Sequence, residues 1–144
     1  MQIQTKFHGL IDIQQSQIWE FPKGIPGFED EKEFTLLEIE GNNIFRVLQS
    51  ATTAEVAFIV ANPYTLIKEY SFDIDEPTIE LLKIRQPEDI MVLAVLSVNQ
   101  PFDASTINLQ APLIFQLHNR KAKQMILNDN HFNVRHPIGK GGTY

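Results

Sequence analysis

The stretch "INLQAPLIFQL", residues 107–117, is the clearest pointer to the fold. Its odd positions are all apolar, while its even positions are polar or Pro with the single exception of Ile114. Successive side chains of a β-strand point to opposite faces, so this alternation predicts a strand with one buried face. The same alternation extends over residues 66–74, where Lys68 is the one polar residue on the apolar face. Both segments are therefore predicted to be half-buried strands.

Two uninterrupted apolar runs complete the β pattern. They are "VAFIVA" at 56–61 and "IMVLAVLSV" at 90–98, and such runs are typical of strands covered on both faces. Further strand candidates are the shorter segments 2–7, 9–14, 17–21, 34–39, 44–49, 122–127 and 131–136. Strands that recur about every ten residues indicate a barrel or a sandwich. We predict an all-β, mainly antiparallel protein with a small β-barrel-like domain.

One short helix is predicted near residues 76–84. Asp75 or Glu76 can accept hydrogen bonds from the first free N–H groups, and Pro77 fits the first helical turn. A second helix at 119–127 is an alternative. However, "APLIFQL" followed by Asn and Arg is typical of a hairpin, so we favour a turn and a strand there.

The length and composition fit a single globular domain spanning residues 1–144. A domain of this size buries about 70% of the surface that its unfolded chain exposes, and apolar residues form 43% of the chain, which is enough for one core. The first ten residues lack the apolar segment of a secretion signal, and the longest apolar run is far shorter than a membrane span of about 20 residues. We expect a cytoplasmic protein without membrane contact, whose residues 139–144 form a flexible tail.

The charge of the chain is acidic and unevenly distributed. The net charge is −6, and residues 1–89 hold 16 acidic and 7 basic residues, whereas residues 90–144 hold 2 acidic and 5 basic ones. Binding to a phosphate backbone depends on Lys and Arg, and only the stretch from Arg120 to Lys140 has a local excess of them. The charge therefore predicts protein partners and no direct contact with nucleic acid.

No constellation of residues in the sequence fits catalysis, a metal or a cofactor. Cys is absent, and His131 and His136 are five positions apart, which places them on opposite faces of a strand. Asp73 begins a segment similar to a calcium loop, but Thr78 stands where that loop requires Gly. No Ser lies in a G-x-S-x-G turn, and "GKGG" at 139–142 lacks the strand and helix of a phosphate-binding loop. The sequence predicts a protein that is not an enzyme and that has no cofactor or metal.

The loop in "FPKGIPGFEDEKEFTLLE", residues 21–38, is the strongest candidate for a functional surface. Gly24 and Gly27 can adopt positive φ, and nearby Pro residues restrict the backbone, so the loop is expected to be a stiff turn. One interpretation is structural, with Phe21 and Phe28 filling the end of the barrel.

The other interpretation is an interaction loop, because binding residues concentrate on loops that a rigid scaffold supports. Ile25 and Phe28 would be apolar anchors for a partner, and the acidic residues behind them would form the polar rim. These acidic residues are Glu29, Asp30, Glu31 and Glu33. Two rival surfaces are the segment Phe45–Gln49 and the polar face of the 107–117 strand. That face would carry Asn108, Gln110 and Gln116, with Pro112 marking an edge or a bulge.

Five motifs, taken in order along the chain, resemble the flagellar assembly factor family FliW. They are "GIPGFE" at 24–29, "VLQS" at 47–50, "FIVANPY" at 58–64, Tyr70 and "INLQAPLIFQLHNRKAKQMIL" at 107–127. Each motif alone is weak, but together they cover nearly the whole chain in register. The positions that carry the resemblance are Gly24, Pro26, Gly27, Gln49, Asn62, Pro63, Tyr70, Asn108, Pro112 and Gln124.

The resemblance implies a small, cytosolic, non-enzymatic bacterial protein with a β-barrel-like fold and two protein partners. Proteins similar to it bind the RNA-binding translational repressor CsrA and prevent it from silencing flagellin messenger RNA. Flagellin also binds such proteins and releases the repressor, which ties flagellin translation to flagellin export. The contact with CsrA is expected away from the RNA surface of the repressor, so the antagonism is expected to be allosteric. Flagellin offers long amphipathic helices, which would require an apolar groove on this domain.

Two other functional classes serve as alternatives. Barrels of this size often hold a cavity, so a small-ligand-binding barrel or a cryptic hydrolase is the first. A deep pocket with converging polar groups would favour it, and a filled interior would speak against it. Direct RNA binding through the basic stretch is the second, and it would require aromatic side chains on which bases stack. Phe132 and Tyr144 are the aromatic residues available there.

Overall fold

The structure consists mainly of short antiparallel strands. The computed structural model describes residues 1–67, 69–128 and 132–138. The strands in these ranges are β1 (Gln2–Gln4), β2 (Leu10–Asp12), β3 (Ile18–Glu20), β4 (Glu33–Ile39), β5 (Asn42–Ser50), β6 (Ala57–Ala61), β7 (Ile90–Ser97), β8 (Thr106–Ile107), β9 (Leu113–Gln116), β10 (Ala122–Gln124) and β11 (His136–Pro137). The helices are α1 (Pro63–Leu66) and α2 (Glu76–Leu82). The predicted all-β, mainly antiparallel fold is confirmed.

Parts of three predicted segments fall outside these ranges. The predicted tail at 139–144 and the side chains of Lys68 and His131 lie outside the described residues. Within the described ranges, we find no helix with the length and apolar character that a membrane crossing requires.

One antiparallel sheet forms the body of the domain. Its strands follow the order β10-β9-β7-β6-β5-β4-β3, and β8 and β11 extend it beside β7. The two end strands meet, because the N–H of Glu20 donates to the carbonyl oxygen of Arg120 at 2.8 Å and Glu20 forms a parallel bridge with Lys121. The Arg120 guanidinium also lies 3.8 Å from the centre of the Trp19 ring, which is a favourable cation–π distance. These contacts close the sheet into a barrel-like form.

Large apolar side chains fill the interior of the barrel. Trp19, Phe21, Phe34 and Phe115 are each at most 4% exposed. Their rings meet edge to face in three pairs, with centres 4.9, 5.1 and 5.7 Å apart. The other fully buried members of this cluster include Leu48, Val60, Leu93 and Leu113. Rings packed at these separations occupy the interior, which argues against a ligand-binding barrel.

Smaller apolar clusters cover the outside of the sheet. Helix α2 lies over β7 and β9, where Leu82 packs with Val92 and Ile114. The segment after α1 covers β6 and β7, and Tyr70 is the large side chain at its centre. The hairpin of β1 and β2 places Ile3 in a separate cluster. Strands β6 and β7 are therefore covered on both faces, as their uninterrupted apolar runs predict.

The helix predicted near residues 76–84 is confirmed as α2, and a second short helix, α1, precedes it. Asp75 precedes α2 and its Oδ1 accepts a hydrogen bond from the N–H of Thr78 at 2.9 Å, as expected for an N-cap. Helix α1 is a second helix that the sequence pattern does not predict. Asn62 caps it by accepting from the N–H of Tyr64 at 2.8 Å, and Pro63 occupies its first position.

Two strand predictions are wrong. Leu66 is the last residue of α1, and the described residues of 67–74 are irregular chain and not a strand. The predicted strand at 107–117 is divided, because β8 ends at Ile107 and β9 begins at Leu113. The Oδ1 of Asn108 accepts from the N–H groups of Gln110 and Ala111, both at 3.1 Å, and this local bonding turns the backbone out of the ladder.

The C-terminal expectations are partly confirmed. Strands β9 and β10 form a hairpin in which Phe115 lies opposite Ala122, so the turn and strand after residue 119 are confirmed and the alternative helix is wrong. Of the predicted strand at 131–136, the described part holds only one strand residue, His136, which begins β11.

Candidate protein-interaction surface

The loop between β3 and β4 is held by its own backbone, as its Gly and Pro residues predict. The N–H of Phe21 donates to the carbonyl of Lys32 at 2.7 Å, which joins the two ends of the loop. The N–H of Gly24 donates to the carbonyl of Phe21 at 2.8 Å, and the N–H of Phe28 donates to the carbonyl of Ile25 at 2.6 Å. A loop with this many internal hydrogen bonds presents its side chains in a fixed arrangement.

The two predicted apolar anchors occupy different environments. Ile25 is only 3% exposed and belongs to the interior cluster, so its side chain is a core residue in this structure. Phe28 is 41% exposed and rests edge to face on Phe58, with ring centres 5.3 Å apart. Phe21 is fully buried, so it fills the barrel as the structural interpretation predicts, whereas Phe28 lies at the rim. Of the two predicted anchors, Phe28 is therefore the one whose side chain is exposed.

The acidic residues behind Phe28 also differ from one another. Glu29 and Asp30 are exposed, and Glu33 begins β4 and is half-buried. The Oε2 of Glu29 accepts a hydrogen bond from the N–H of Gly27 at 3.0 Å, and this bond is the main cause that lowers the pKa of Glu29. We call the group formed by Phe28, Phe58, Glu29 and Asp30 the Phe28 surface.

Glu31 is half-buried and bonds to the end of β5 and to the loop after it. Its carboxylate accepts hydrogen bonds from the hydroxyl of Ser50, from that of Thr53 at 2.8 Å and from that of Thr52 at 3.3 Å. These bonds, that of Ser50 foremost, lower the pKa of Glu31. Glu31 thus fastens the loop to the end of β5.

The Glu31→Gln variant is expected to lower the free energy of unfolding by roughly 1 kcal/mol at about pH 7, because the amide nitrogen replaces one of the two carboxylate oxygens that accept from these hydroxyl groups. The folded-state pKa is below the ordinary value of 4.5, so the stabilisation by the carboxylate is present above that value and is lost as the pH falls through the folded-state pKa. Urea unfolding at about pH 7 and about pH 3.5 measures both effects.

The matched control for this prediction is Asp30→Asn, since the Asp30 side chain is exposed. This control is expected to change the unfolding free energy by less than about 0.5 kcal/mol at either pH. A Glu31→Gln effect that stays constant between the two pH values would contradict the assigned role.

The first rival surface, Phe45–Gln49, is mostly buried. Val47, Leu48 and Gln49 are at most 1% exposed. The ring of Phe45 packs against that of Phe102, with ring centres 5.6 Å apart. A guanidinium nitrogen of Arg46 lies 3.6 Å from the sulfur of Met91. A partner can reach only part of this segment.

The second rival surface does not form a row. Asn108 bonds to its own turn, the Nε2 of Gln110 donates to the carbonyl of Leu127 at 3.3 Å, and Gln116 is only 3% exposed. The Nε2 of Gln116 donates to the carbonyl of Lys83 at 3.1 Å. These side chains support the backbone because the chain bends between β8 and β9, so they do not share one face.

The positions that carry the family resemblance are largely structural. Gln49 is fully buried; its Oε1 accepts from the N–H of Lys6 at 3.0 Å, and its Nε2 donates to the carbonyl of Ala54 at 3.1 Å. The hydroxyl of Tyr70 donates to the carbonyl of Leu109 at 2.7 Å, and burial raises the pKa of this Tyr. The Nε2 of Gln124 donates to the carbonyl of Ala111 at 3.0 Å. Buried amides and hydroxyls satisfied in this way fix the loops of the domain.

Three other positions of the resemblance have a local role. Pro63 is buried at the start of α1, whereas Pro26 is exposed in the loop. The carbonyl of Pro112 accepts from the N–H of Met125 at 2.9 Å, which ties the turn before β9 to the segment after β10.

The structure gives little support to a metal site or to base stacking. Within the described ranges, no three His, Asp or Glu side chains come close enough together to hold a metal ion. The Phe132 ring packs edge to face on Tyr70 with centres 5.0 Å apart, so part of the aromatic surface that base stacking would require is already covered. Tyr144 lies outside the described residues.

Comparisons with known proteins identify the family of the chain. The family model described as FliW protein matches residues 2–138. The chain is 45% identical over 139 residues to the flagellar assembly factor FliW of Bacillus subtilis (strain 168), covering 96% of this chain and 97% of the relative. It is 37% identical over 142 residues to that of Clostridium novyi (strain NT), covering 99% of both.

A solved structure extends the agreement to three dimensions. The crystal structure of a flagellar assembly factor FliW superposes with a TM-score of 0.93 at 38% sequence identity, covering 98% of this chain and 99% of the other. The similarity therefore extends over nearly the whole chain. The chain belongs to the FliW family of flagellar assembly factors.

Proposed function

We propose that this protein is a non-enzymatic, cytoplasmic flagellar assembly factor that binds the translational repressor CsrA and cytosolic flagellin. It antagonises CsrA by a contact away from the RNA surface of the repressor, and flagellin binding releases the repressor. Flagellin translation then follows flagellin export. The observation that carries this proposal is membership of the FliW family across residues 2–138.

The Phe28 surface supports a specific role for the loop in this function. An exposed aromatic ring on a rigid loop is a suitable anchor for a protein partner, and Glu29 and Asp30 beside it add negative charge. A basic RNA-binding repressor would be attracted to this surface at low salt. Once docked, the same carboxylates would repel an approaching phosphate backbone. The surface therefore fits an antagonist that acts without occupying the RNA site.

The two proposed partners can be tested by size-exclusion chromatography. The purified protein is mixed with purified CsrA, with purified flagellin, and with both together. Co-elution with each partner and loss of the CsrA complex when flagellin is added are the expected results. If the protein elutes alone in both binary mixtures, the proposed function is wrong.

Neutralising the acidic residues behind Phe28, with the exception of Glu31, is expected to weaken CsrA binding. The variant Glu29→Gln, Asp30→Asn, Glu33→Gln should lower the affinity on the order of tenfold at low salt, because it removes the charge that attracts a basic partner. Its affinity should also vary less between roughly 50 mM and roughly 500 mM salt than that of the unchanged protein. Glu31 is left in place because it fastens the loop.

The matched control removes the same number of charges elsewhere. Glu40→Gln, Glu69→Gln and Glu80→Gln replace exposed carboxylates outside the loop and should leave the affinity within about threefold. Equal weakening in both triple variants would mean that only net charge matters and that the Phe28 surface is not the site. Phe28→Ser tests the apolar anchor separately and is expected to weaken binding at every salt concentration.

A further inference from the structure

An apolar groove lies on the outside of the barrel, next to α2 and the start of β7. Its volume is about 520 Å³. The apolar side chains that line it and remain partly exposed are Tyr64, Phe72, Ile74, Ile79, Ile84 and Ile90. None of them belongs to the Phe28 surface. An open groove of this size and lining is typical of sites that receive the apolar face of a helix.

The walls of the groove are held in place before any partner binds. Val92 in its floor is part of the cluster that packs α2 against the sheet. The N–H of Ile84 donates to the carbonyl of Ile79 at 3.0 Å, and Asp89 accepts from the N–H of Arg85 at 3.0 Å. A preformed groove needs little ordering on binding, which favours affinity.

Free basic side chains lie at one border of the groove. A second, polar pocket of about 380 Å³ shares Arg85 and Gln86 with the groove and also includes Lys83. Lys83 and Arg85 are exposed, and their charged groups form no hydrogen bond or ion pair with the part of the chain that the structure describes. This local pair of positive charges contrasts with the net charge of −6.

Two carboxylates also line these pockets. Asp89 is 5% exposed, and its oxygens already accept from the backbone of Arg85 and Gln86 and contact the His118 ring nitrogen at 3.1 Å. Asp73 is exposed at the groove and is the carboxylate that a partner would meet. The charge available to a partner at the border shared by the two pockets is therefore positive.

We propose that this groove binds one amphipathic α-helix of a partner protein, whose apolar row is flanked by acidic side chains. The apolar row would cover the Ile side chains, and the acidic residues would pair with Lys83 and Arg85. Because flagellin is the helical partner in the proposed function, the inference rests on that function for the identity of the natural partner. The groove itself can be tested without it.

Two synthetic peptides of about 18 residues, long enough for roughly five helical turns, serve as probes. They share one row of Leu at helical spacing and differ only in carrying Glu or Lys at the flanking positions. Fluorescence anisotropy with the full chain should show that the Glu peptide binds on the order of tenfold more tightly than the Lys peptide. The net charge of −6 alone would favour the Lys peptide. Tighter binding of the Lys peptide, or no binding of either peptide, would therefore overturn the proposal.

A pair of variants locates the interaction. Lys83→Glu with Arg85→Glu should reverse the preference between the two peptides. Lys6→Glu with Lys32→Glu changes the net charge by the same amount on other segments and should retain the preference. Amide NMR shifts on adding the Glu peptide should concentrate at Ile84 and Ile90. A reversal in both variants, or shifts confined to other residues, would overturn the assignment.

Full-length flagellin separates this inference from the proposed function. If flagellin co-elutes with the unchanged protein and equally with the Lys83→Glu, Arg85→Glu variant, and the peptides do not bind, the groove is not the site while the proposed function stands. If the Glu peptide binds and flagellin does not, the groove is a helix site and the flagellin part of the proposed function is wrong.

Discussion

The Phe115→Ala variant is expected to lose about 3–5 kcal/mol of unfolding free energy, a larger loss than we expect from any of the other variants. Phe115 is fully buried, and its ring meets Trp19 with centres 4.9 Å apart and Phe21 with centres 5.7 Å apart. The truncation removes apolar area from the core and leaves a cavity that rigid neighbouring rings cannot fill. The lost apolar burial and the cavity both lower the free energy of unfolding.

Urea unfolding followed by Trp fluorescence measures this loss, since Trp19 is the single Trp of the chain and contacts Phe115. Phe102→Ala is the matched control, because Phe102 is 46% exposed and contacts Phe45 on the outer face. The control is expected to cost less than about 1 kcal/mol. Similar losses in the two variants would show that the barrel interior is not the main source of stability.

Gly24→Ala is expected to lower the unfolding free energy by about 2–4 kcal/mol, the second largest effect. Gly24 has φ of +66°, which an L-residue with a side chain adopts only with strain. A methyl group there would also lie 2.5 Å from the carbonyl oxygen of Glu29 and 2.7 Å from its Cα. Both are backbone atoms, so the loop itself would have to move.

Gly27→Ala separates the backbone strain at positive φ from the steric clash with Glu29. Gly27 has φ of +87°, but a methyl group there meets no atom within 4 Å. The expected cost is therefore the strain alone, about 1 kcal/mol. Thermal unfolding of both variants and their affinity for CsrA should be measured together. Gly24→Ala should also weaken CsrA binding, because the displaced backbone carries Phe28 and Glu29. Equal stability of the two variants would contradict the close approach of Gly24 to Glu29.

The features of the fold that are predicted correctly from the sequence are those that depend on few residues. The apolar runs of β6 and β7 require only that both faces be covered, and the cap at Asp75 requires only its own side chain and the N–H of Thr78. The alternation at 66–74 is misleading because its side chains reach separate clusters. Tyr70 packs against Tyr64 of α1, while Ile74 packs towards α2. Such an arrangement depends on tertiary contacts, which periodicity does not contain.

In the candidate surface, too, features set by local residues are predictable from the sequence and features set by tertiary contacts are not. The stiffness of the loop follows from Gly and Pro, whose backbone preferences are local. The orientation of Ile25 into the barrel and of Phe28 towards Phe58 depends on the position of β6, so composition could not distinguish the two anchors. The groove beside α2 combines Ile side chains from an irregular segment, a helix, a turn and a strand. These residues follow no regular spacing along the sequence, so a periodic pattern could not have predicted the groove.

Closure of the sheet through Glu20 and Arg120 has a consequence for the order in which the chain can assemble during synthesis. The side chain of Arg120 bonds to the carbonyl of Ile18, 102 positions earlier, so the seam cannot form until most of the polypeptide has left the ribosome. Until then β3 and β7 have edges with unpaired N–H and C=O groups, which are templates for pairing with other chains. The hairpin of β9 and β10 emerges late and covers both edges, because β9 pairs with β7 while Arg120 and Lys121 meet β3 at Glu20.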